Sequence, residues 1–355
     1  MTQTQRRLAE VRRVLEEKDL PALLVVQAEN RRYLSGFTGS AGVLLITATH
    51  AILATDFRYW EQSARQAPDF AVYQAKGGVK EFLPGLIAAA DGPTSIGFES
   101  NTVTVAQYEE MQMTAPQIEW YGVNGLIENV RAVKDADELA LTQKTIDLAG
   151  DGLRYLLSIL KPGMTERQAA WKLEKYLREH GADALSFDTI VASGPNAALP
   201  HHHPGERVIQ ANEPITIDWG AEIDGYRSDL TRTIVLGEPD AKFREIYGIV
   251  LKAQLNAIAN IKAGQTGKEA DAFARDVIDA AGYGDNFGHG LGHGVGLAVH
   301  EKPFAGRLAE DERLPANSIL TVEPGIYLSG WGGVRIEDMI LVKEDGNEVL
   351  SHFEK

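Results

Sequence analysis

KPGMTERQAAWKLEKYLREHGA (residues 161–182) and KAGQTGKEADAFARDVIDAAGY (residues 262–283) align without a gap. Lys161, Gly163, Thr165, Ala169 and Gly181 meet Lys262, Gly264, Thr266, Ala270 and Gly282, always 101 residues apart. In each copy a threonine stands where a helix N-cap accepts from orphan backbone N–H groups, and a glycine stands where the helix stops. The sequence that follows is duplicated in kind. The first copy leads to a histidine-bearing loop and to ITIDWGAEIDGYRSDLTRTIVL (215–236), a hairpin pattern. The second leads to GHGLGHGVGLAVHE (288–301) and then to LTVEPGIYLSGWGGVRIEDMILV (320–342). The repeat predicts an α+β unit of two half-domains, each of helices followed by a β-hairpin, related by a pseudo-two-fold axis.

The first third reads differently. Gln3 to Lys18 has a narrow apolar stripe at Leu8, Val11 and Leu15, which predicts a helix. ALLVVQ (22–27) reads as a buried strand, AGVLLIT (41–47) and HAILATD (50–56) as a hairpin, and NRRYLSGFTGS as the loop before it. A helix is expected from about Arg58 to Ala67. Alternating strand and helix signals continue to about Val123, the pattern of an α/β domain. The texture changes where VRAVKDADELALTQKTIDLAGDGLRYLLSIL opens a long amphipathic helix. The expected domains are therefore 1–128 and 129–355, with a boundary uncertainty of about 2–4 residues.

With 44% hydrophobic and 24% charged residues, the composition is that of a soluble globular protein. A formal net charge of -15 argues against nucleic-acid binding, which needs clustered Lys and Arg. The absence of cysteine excludes disulfides, thiolate zinc sites and cysteine nucleophiles. No apolar run is long enough for a membrane span, and MTQTQRRLAEVRRVLEEK is charged and helix-like, unlike a secretory signal, so the cytoplasm is the expected location.

Each hairpin carries two carboxylates within an apolar β pattern, Asp218 with Asp229 and Glu323 with Glu337. With Asp224-Gly225 as a two-residue turn, Asp218 faces Thr231 and Asp229 faces Gly220. The aspartates are then diagonal neighbours on one face, roughly 7 Å apart. Burying such a pair without a cation costs several kcal/mol per ion. Two divalent cations would balance four carboxylates, with the imidazole of His293 completing the set. That donor set suits Mn²⁺ better than a thiolate-selecting ion, while leaving Co²⁺, Fe²⁺ and Zn²⁺ open. His289 and His300 would line the cleft, and the five glycines of residues 288–301 would let backbone crowd the metals and substrate. Any one strand carboxylate is more often a solvated edge residue, and HHHP (201–204) alone is more often a surface accident. Four carboxylates on two repeat-related hairpins, with six of nine histidines in two adjoining loops, favour a site.

DWG with Asp229 eleven residues after Asp218, HGLGHGVGLAVHE, TVEPGIY and GVRIED resemble the Xaa-Pro peptidase (prolidase and aminopeptidase P) branch of the pita-bread metallopeptidases. GFTGS and TDFRYWEQ resemble the creatinase-like N-terminal domain of those enzymes. The resemblance implies Asp218, Asp229, His293, Glu323 and Glu337 as metal ligands, with Asp229 and Glu337 bridging. It implies His201, His289 and His300 near the substrate, and Arg335 beside them. The implied activity is hydrolysis of the bond before proline by a metal-bridging hydroxide, with Glu323 as proton shuttle and His300 and His201 as donors to the substrate carbonyl. Xaa-Pro dipeptides are the expected substrates of this dipeptidase reading, in a homodimer, with Arg307, Arg335 or a partner's Arg58 gripping the free carboxylate. HEKPFAGR has Phe304 where prolidases often carry arginine, which keeps an Xaa-Pro aminopeptidase acting on longer peptides as the alternative. Methionine aminopeptidase and a metal-free peptide-binding module are the more distant readings.

Overall fold

The repeated segments form helices of equal length at the same offset. In the computed structural model, which describes residues 1–355, they are Glu166–Glu179 and Gly267–Ala280. Each opens with a capping box: Thr165 accepts from the Gln168 N–H and Thr266 from the Glu269 N–H, and the Gln168 and Glu269 side chains reach back to the cap. Gly181 and Gly282, just beyond the two helices, both have positive φ (114° and 85°), the left-handed geometry that glycine adopts without a Cβ penalty. Longer helices, Ala136–Ile159 and Ala241–Asn260, precede the pair. Asp135 caps the first of them and Asp240 the second.

The chain divides into two units, Met1–Arg131 and Ala132–Lys355. Residue 128 lies inside the helix Leu126–Ala132, so the change of unit comes at the end of that helix.

The N-terminal unit is built on a mixed six-stranded sheet. Its strand order is Ala71–Gln74, Ala51–Thr55, Val43–Thr47, Ala22–Val25, Ser95–Glu99 and Glu119–Val123. Val43–Thr47 and Ala51–Thr55 pair antiparallel, as the hairpin pattern requires. Helices run over Gln3–Glu17 and Trp60–Gln66. One element departs from expectation. Ala28–Ser35, within the stretch read as a loop, is a helix that buries Tyr33 and Leu34. Gly36 ends it in the left-handed region at φ 76°. The helix is short and its polar residues are inward: Asn30 and Arg31 are buried and hydrogen-bonded, so no apolar period marks it.

In the second unit each half has its own core. Leu153, Leu156, Leu173, Leu177, Ile215 and Ile217 pack in the first, and Val250, Ala274, Ile278, Leu320, Ile336 and Ile340 in the second. Pro214–Trp219 pairs antiparallel with Leu230–Val235, placing Asp218 opposite Thr231. Beyond a short irregular stretch, Glu222 faces Arg227 and Ile223 faces Tyr226. This is one continuous register around Asp224 and Gly225, whose φ values of 48° and 77° are those of a type I′ turn. In the second half Val322 faces Asp338 and Gly325 faces Arg335. Glu323 and Glu337 therefore occupy the irregular gap between two paired segments, just as Asp229 does in the first half. No helix is long and apolar enough to cross a membrane.

Candidate metal centre

The gaps in the two hairpins meet. The Glu337 N–H donates to the Thr231 carbonyl across the hairpins, and the Glu323 N–H donates to the Leu291 carbonyl of the glycine-rich run. One carboxylate oxygen each from Asp218, Asp229 and Glu337 lies within 4.8 Å of the others. His293 closes the group: its Nε2 is 3.3 Å from Glu323 Oε1 and 3.5 Å from Asp229 Oδ2. The His293 Nδ1 lies 3.1 Å from the Gly294 carbonyl, which places a proton on Nδ1 and makes Nε2 the nitrogen that faces the carboxylates. All five side chains expected as ligands are thus brought together.

This is an electrostatically costly arrangement for the protein alone. Burial, then the neighbouring charges of Glu337, Asp218 and Glu323, holds the Asp229 carboxyl well above the usual range. Glu337 is pushed well up by burial and by Glu323 and Asp218. Asp218 is raised by burial, in spite of Arg335. For Glu323 burial also acts upward, but the hydrogen bond and charge of His293 outweigh it and bring the group down to about 2. Two buried carboxylate oxygens, Asp218 Oδ1 and Glu337 Oε1, have no hydrogen-bond partner. An orphaned buried acceptor costs more than the bond it fails to make. Hard oxygen donors, one imidazole and unpaired anionic oxygens fit divalent cations.

Three side chains that sequence reasoning missed hold the ligands in place. Thr231 donates to Glu337 Oε2 at 2.7 Å and accepts from Arg335 Nε at 3.0 Å. Thr321 donates to Glu323 Oε1 at 3.0 Å and accepts from the His293 N–H. Tyr327 accepts from Arg335 Nη1 and meets His289 Nε2 at 2.8 Å. The only sequence signal for the threonines is position: each stands two residues from a carboxylate, on the same strand face.

Arg335 is nearly enclosed, at 3% exposure, and its guanidinium spans Asp218, Thr231 and Tyr327. Its ion pair is with Asp218, at 2.6 Å, whereas Arg307 is exposed on the cavity wall. His201, His289, His300, Arg307 and Arg335 all line one cavity of about 1110 Å³ that also reaches Asp218, Asp229, His293 and Glu323. His300 packs beside His293, with ring centroids 4.1 Å apart and the rings tilted by 53°. The HHHP run is no surface accident. His202 Nε2 lies 2.8 Å from Oε2 of the fully buried Glu166, which also accepts from Ser193 and Asn196.

The glycines of residues 288–301 serve packing more than access. A Cβ on Gly292 would lie 2.0 Å from the Thr321 carbonyl oxygen, and one on Gly294 would lie 2.2 Å from that of Lys302. They let the strand bearing His293 approach its neighbours closely, which places the imidazole among the carboxylates.

Residues 140–344 match metallopeptidase family M24, and residues 7–133 match the creatinase/prolidase N-terminal domain. A protein from Pyrococcus horikoshii named Xaa-Pro dipeptidase is 37% identical over 342 residues, 96% of this chain and 95% of its own. The solved structure of an Xaa-Pro dipeptidase from Bacillus anthracis superimposes with a TM-score of 0.95 at 40% identity, covering 99% of this chain and 98% of that one. That of an X-Pro aminopeptidase from Thermotoga maritima superimposes with a TM-score of 0.90 at 35% identity, covering 98% of each.

Proposed function

Since the chain belongs to the Xaa-Pro peptidase branch of metallopeptidase family M24, we propose that it is a dinuclear Xaa-Pro dipeptidase with Asp218, Asp229, His293, Glu323 and Glu337 as the ligand set. The observation that carries this reading is the convergence of five ligand-type side chains, two of them with orphaned buried oxygens, of which Asp218, Asp229, His293 and Glu323 line one cavity. Two divalent cations held there, with Mn²⁺ the best match to the donors, would polarise the scissile carbonyl and lower the pKa of a water.

The chain's own residues supply the rest. Proline lacks an N–H and holds φ near about −65°, so a peptidase that reads an extended N–H ladder cannot grip it. Here a cavity walled by histidines takes the place of a strand edge. Glu323, which lines the cavity beside His293, would be the group to accept a proton from the attacking water and return it to the proline nitrogen. His300 is held below its usual pKa by burial and by His293, so it stays neutral and can donate to the substrate carbonyl. His201, on the same cavity, is the second candidate donor. Arg307 would pair with the free carboxylate of a C-terminal proline.

The Xaa-Pro dipeptidases among the relatives support the dipeptide reading. A cavity of about 1110 Å³ holds more than two residues and favours the second reading, an Xaa-Pro aminopeptidase acting on longer peptides. Parallel turnover of Ala-Pro and Ala-Pro-Ala with added Mn²⁺ decides between them. On the dipeptidase reading Ala-Pro is cleaved and Ala-Pro-Ala is not, and Arg307→Ala raises KM for Ala-Pro. Prompt cleavage of the tripeptide overturns it. A cytoplasmic homodimer belongs to the same reading, and light scattering on the purified protein tests the stoichiometry.

A further inference from the structure

We propose that Lys134 is a positioning residue for His300, acting through Glu301. Lys134 lies close to the start of the second unit, far in sequence from the site, yet its Nζ is 2.6 Å from Glu301 Oε1. The two side chains are 1% and 5% exposed, so this is an ion pair shut off from water. Removing one partner of such a pair takes away the opposite charge against which the other is held, and the surrounding loop must shift in response.

Glu301 is the hub of the turn that carries His300. Its other oxygen, Oε2, accepts from the Ala298 N–H at 3.2 Å. A Cβ on Gly296 would sit 2.3 Å from Oε1, so the carboxylate is packed tightly under that backbone. The Gly296 N–H donates to the Ala298 carbonyl, and the Gly296 carbonyl accepts from the Arg227 N–H, two residues before Asp229. Glu301 also pairs with Gly294 across an irregular ladder, next to His293. The Lys134–Glu301 pair thus pins residues 294–301 from below. His300, exposed on the cavity side, has no hydrogen bond of its own that fixes the ring; it rests on its neighbour's anchorage and on the tilted ring contact with His293. Lys134 is pinned at its own end, because its N–H donates to the Asn317 carbonyl.

This proposal rests on His300 being the donor to the substrate carbonyl, and the test separates the two ideas. The full-length Mn²⁺-loaded enzyme is compared with Lys134→Met, His300→Asn and the double variant, using Ala-Pro turnover. Histidine-¹⁵N spectra of the metal-free proteins report the ring of His300 directly. Lys134→Met is expected to lower kcat on the order of 10–100-fold, the penalty of misplacing a reacting group by about 1 Å, with KM and bound Mn²⁺ unchanged. In the His300→Asn background the Lys134 substitution should add nothing beyond about twofold, because both act through one group. The His300 ring signals should shift or broaden in Lys134→Met. Losses that multiply in the double variant, or unchanged ring signals in Lys134→Met, overturn the proposal. His300→Asn at the wild-type rate overturns the donor role given to His300 instead, and the ring spectra then decide alone whether Lys134 fixes that ring. Should Lys134→Met fail to fold, Glu301→Gln keeps the volume and the Ala298 acceptor, and the same cycle is run with it.

Discussion

Thr231→Val removes one hydroxyl and almost no volume, and its consequence can be worked out from the structure. Thr231 is fully buried. Its Oγ1 donates to Glu337 Oε2 at 2.7 Å and accepts from Arg335 Nε at 3.0 Å, so the substitution strands a buried carboxyl acceptor and a cationic donor together. Glu337 would then have neither oxygen satisfied, since Oε1 is already unpartnered. The lost bond from the Arg335 guanidinium costs about 1.5–3 kcal/mol and the stranded buried Glu337 acceptor about 1–3 kcal/mol, so the two together cost about 3 kcal/mol or more. For a unit of this size each kcal/mol moves the melting temperature by about 2–4 °C, which places the expected drop at about 6–12 °C. Differential scanning calorimetry of the metal-free protein reads the transition of the second unit. With Mn²⁺ present the drop should shrink, because ligation satisfies Glu337, while Mn²⁺ affinity by isothermal titration should weaken about 10–100-fold. A metal-free melting temperature within about 2 °C of wild type would refute the idea that this hydroxyl couples the two hairpins.

Glu323→Gln should lower kcat on Ala-Pro by about 10²–10⁴-fold, the usual contribution of a positioned proton-transfer group; wild-type turnover by this variant would remove Glu323 from the chemistry. Stripping the metal should destabilise the protein least at acid pH. Burial and mutual repulsion raise Asp218, Asp229 and Glu337 in the folded metal-free state, so their contribution is fully present below about pH 4, the ordinary carboxylate value, and is lost as pH rises through their raised values. Glu323, at about 2, contributes in the opposite sense, but loses its contribution only as pH falls from the ordinary value toward that figure. The gap in melting temperature between metal-loaded and metal-free protein should therefore narrow from pH 8 to pH 5, and a constant gap counts against a buried, repelling cluster. Gly292→Ala, whose Cβ would lie 2.0 Å from the Thr321 carbonyl oxygen, should cost about 1–3 kcal/mol in urea unfolding, whereas Gly288→Ala, which meets nothing within 4 Å, should change stability by about 0.5 kcal/mol or less.

The duplication was legible in the chain because its two copies align without a gap at one offset, and the capping threonines, the stop glycines and the Asp224-Gly225 turn because each is a local device whose residues lie within one or two turns of what they control. From the turn alone the pairing of Asp218 with Thr231 follows, since a strand alternates its faces and a two-residue loop leaves the register no freedom. The helix Ala28–Ser35 was not legible: its inward face carries Asn30 and Arg31, and their burial is made tolerable by partners such as Glu99 and the Gly39 carbonyl, remote or non-helical in sequence. The same reason hides the supports of the site. Residue type and spacing named the five carboxylate and imidazole groups, but only folding brings Thr231 to Glu337, Tyr327 to His289, His202 to Glu166 and Lys134 to Glu301. It also brings Arg335 to Asp218. A hydrogen bond or buried ion pair depends on distance in space, and the partners in these contacts stand 36 to 167 residues apart along the chain, where no period or motif relates them.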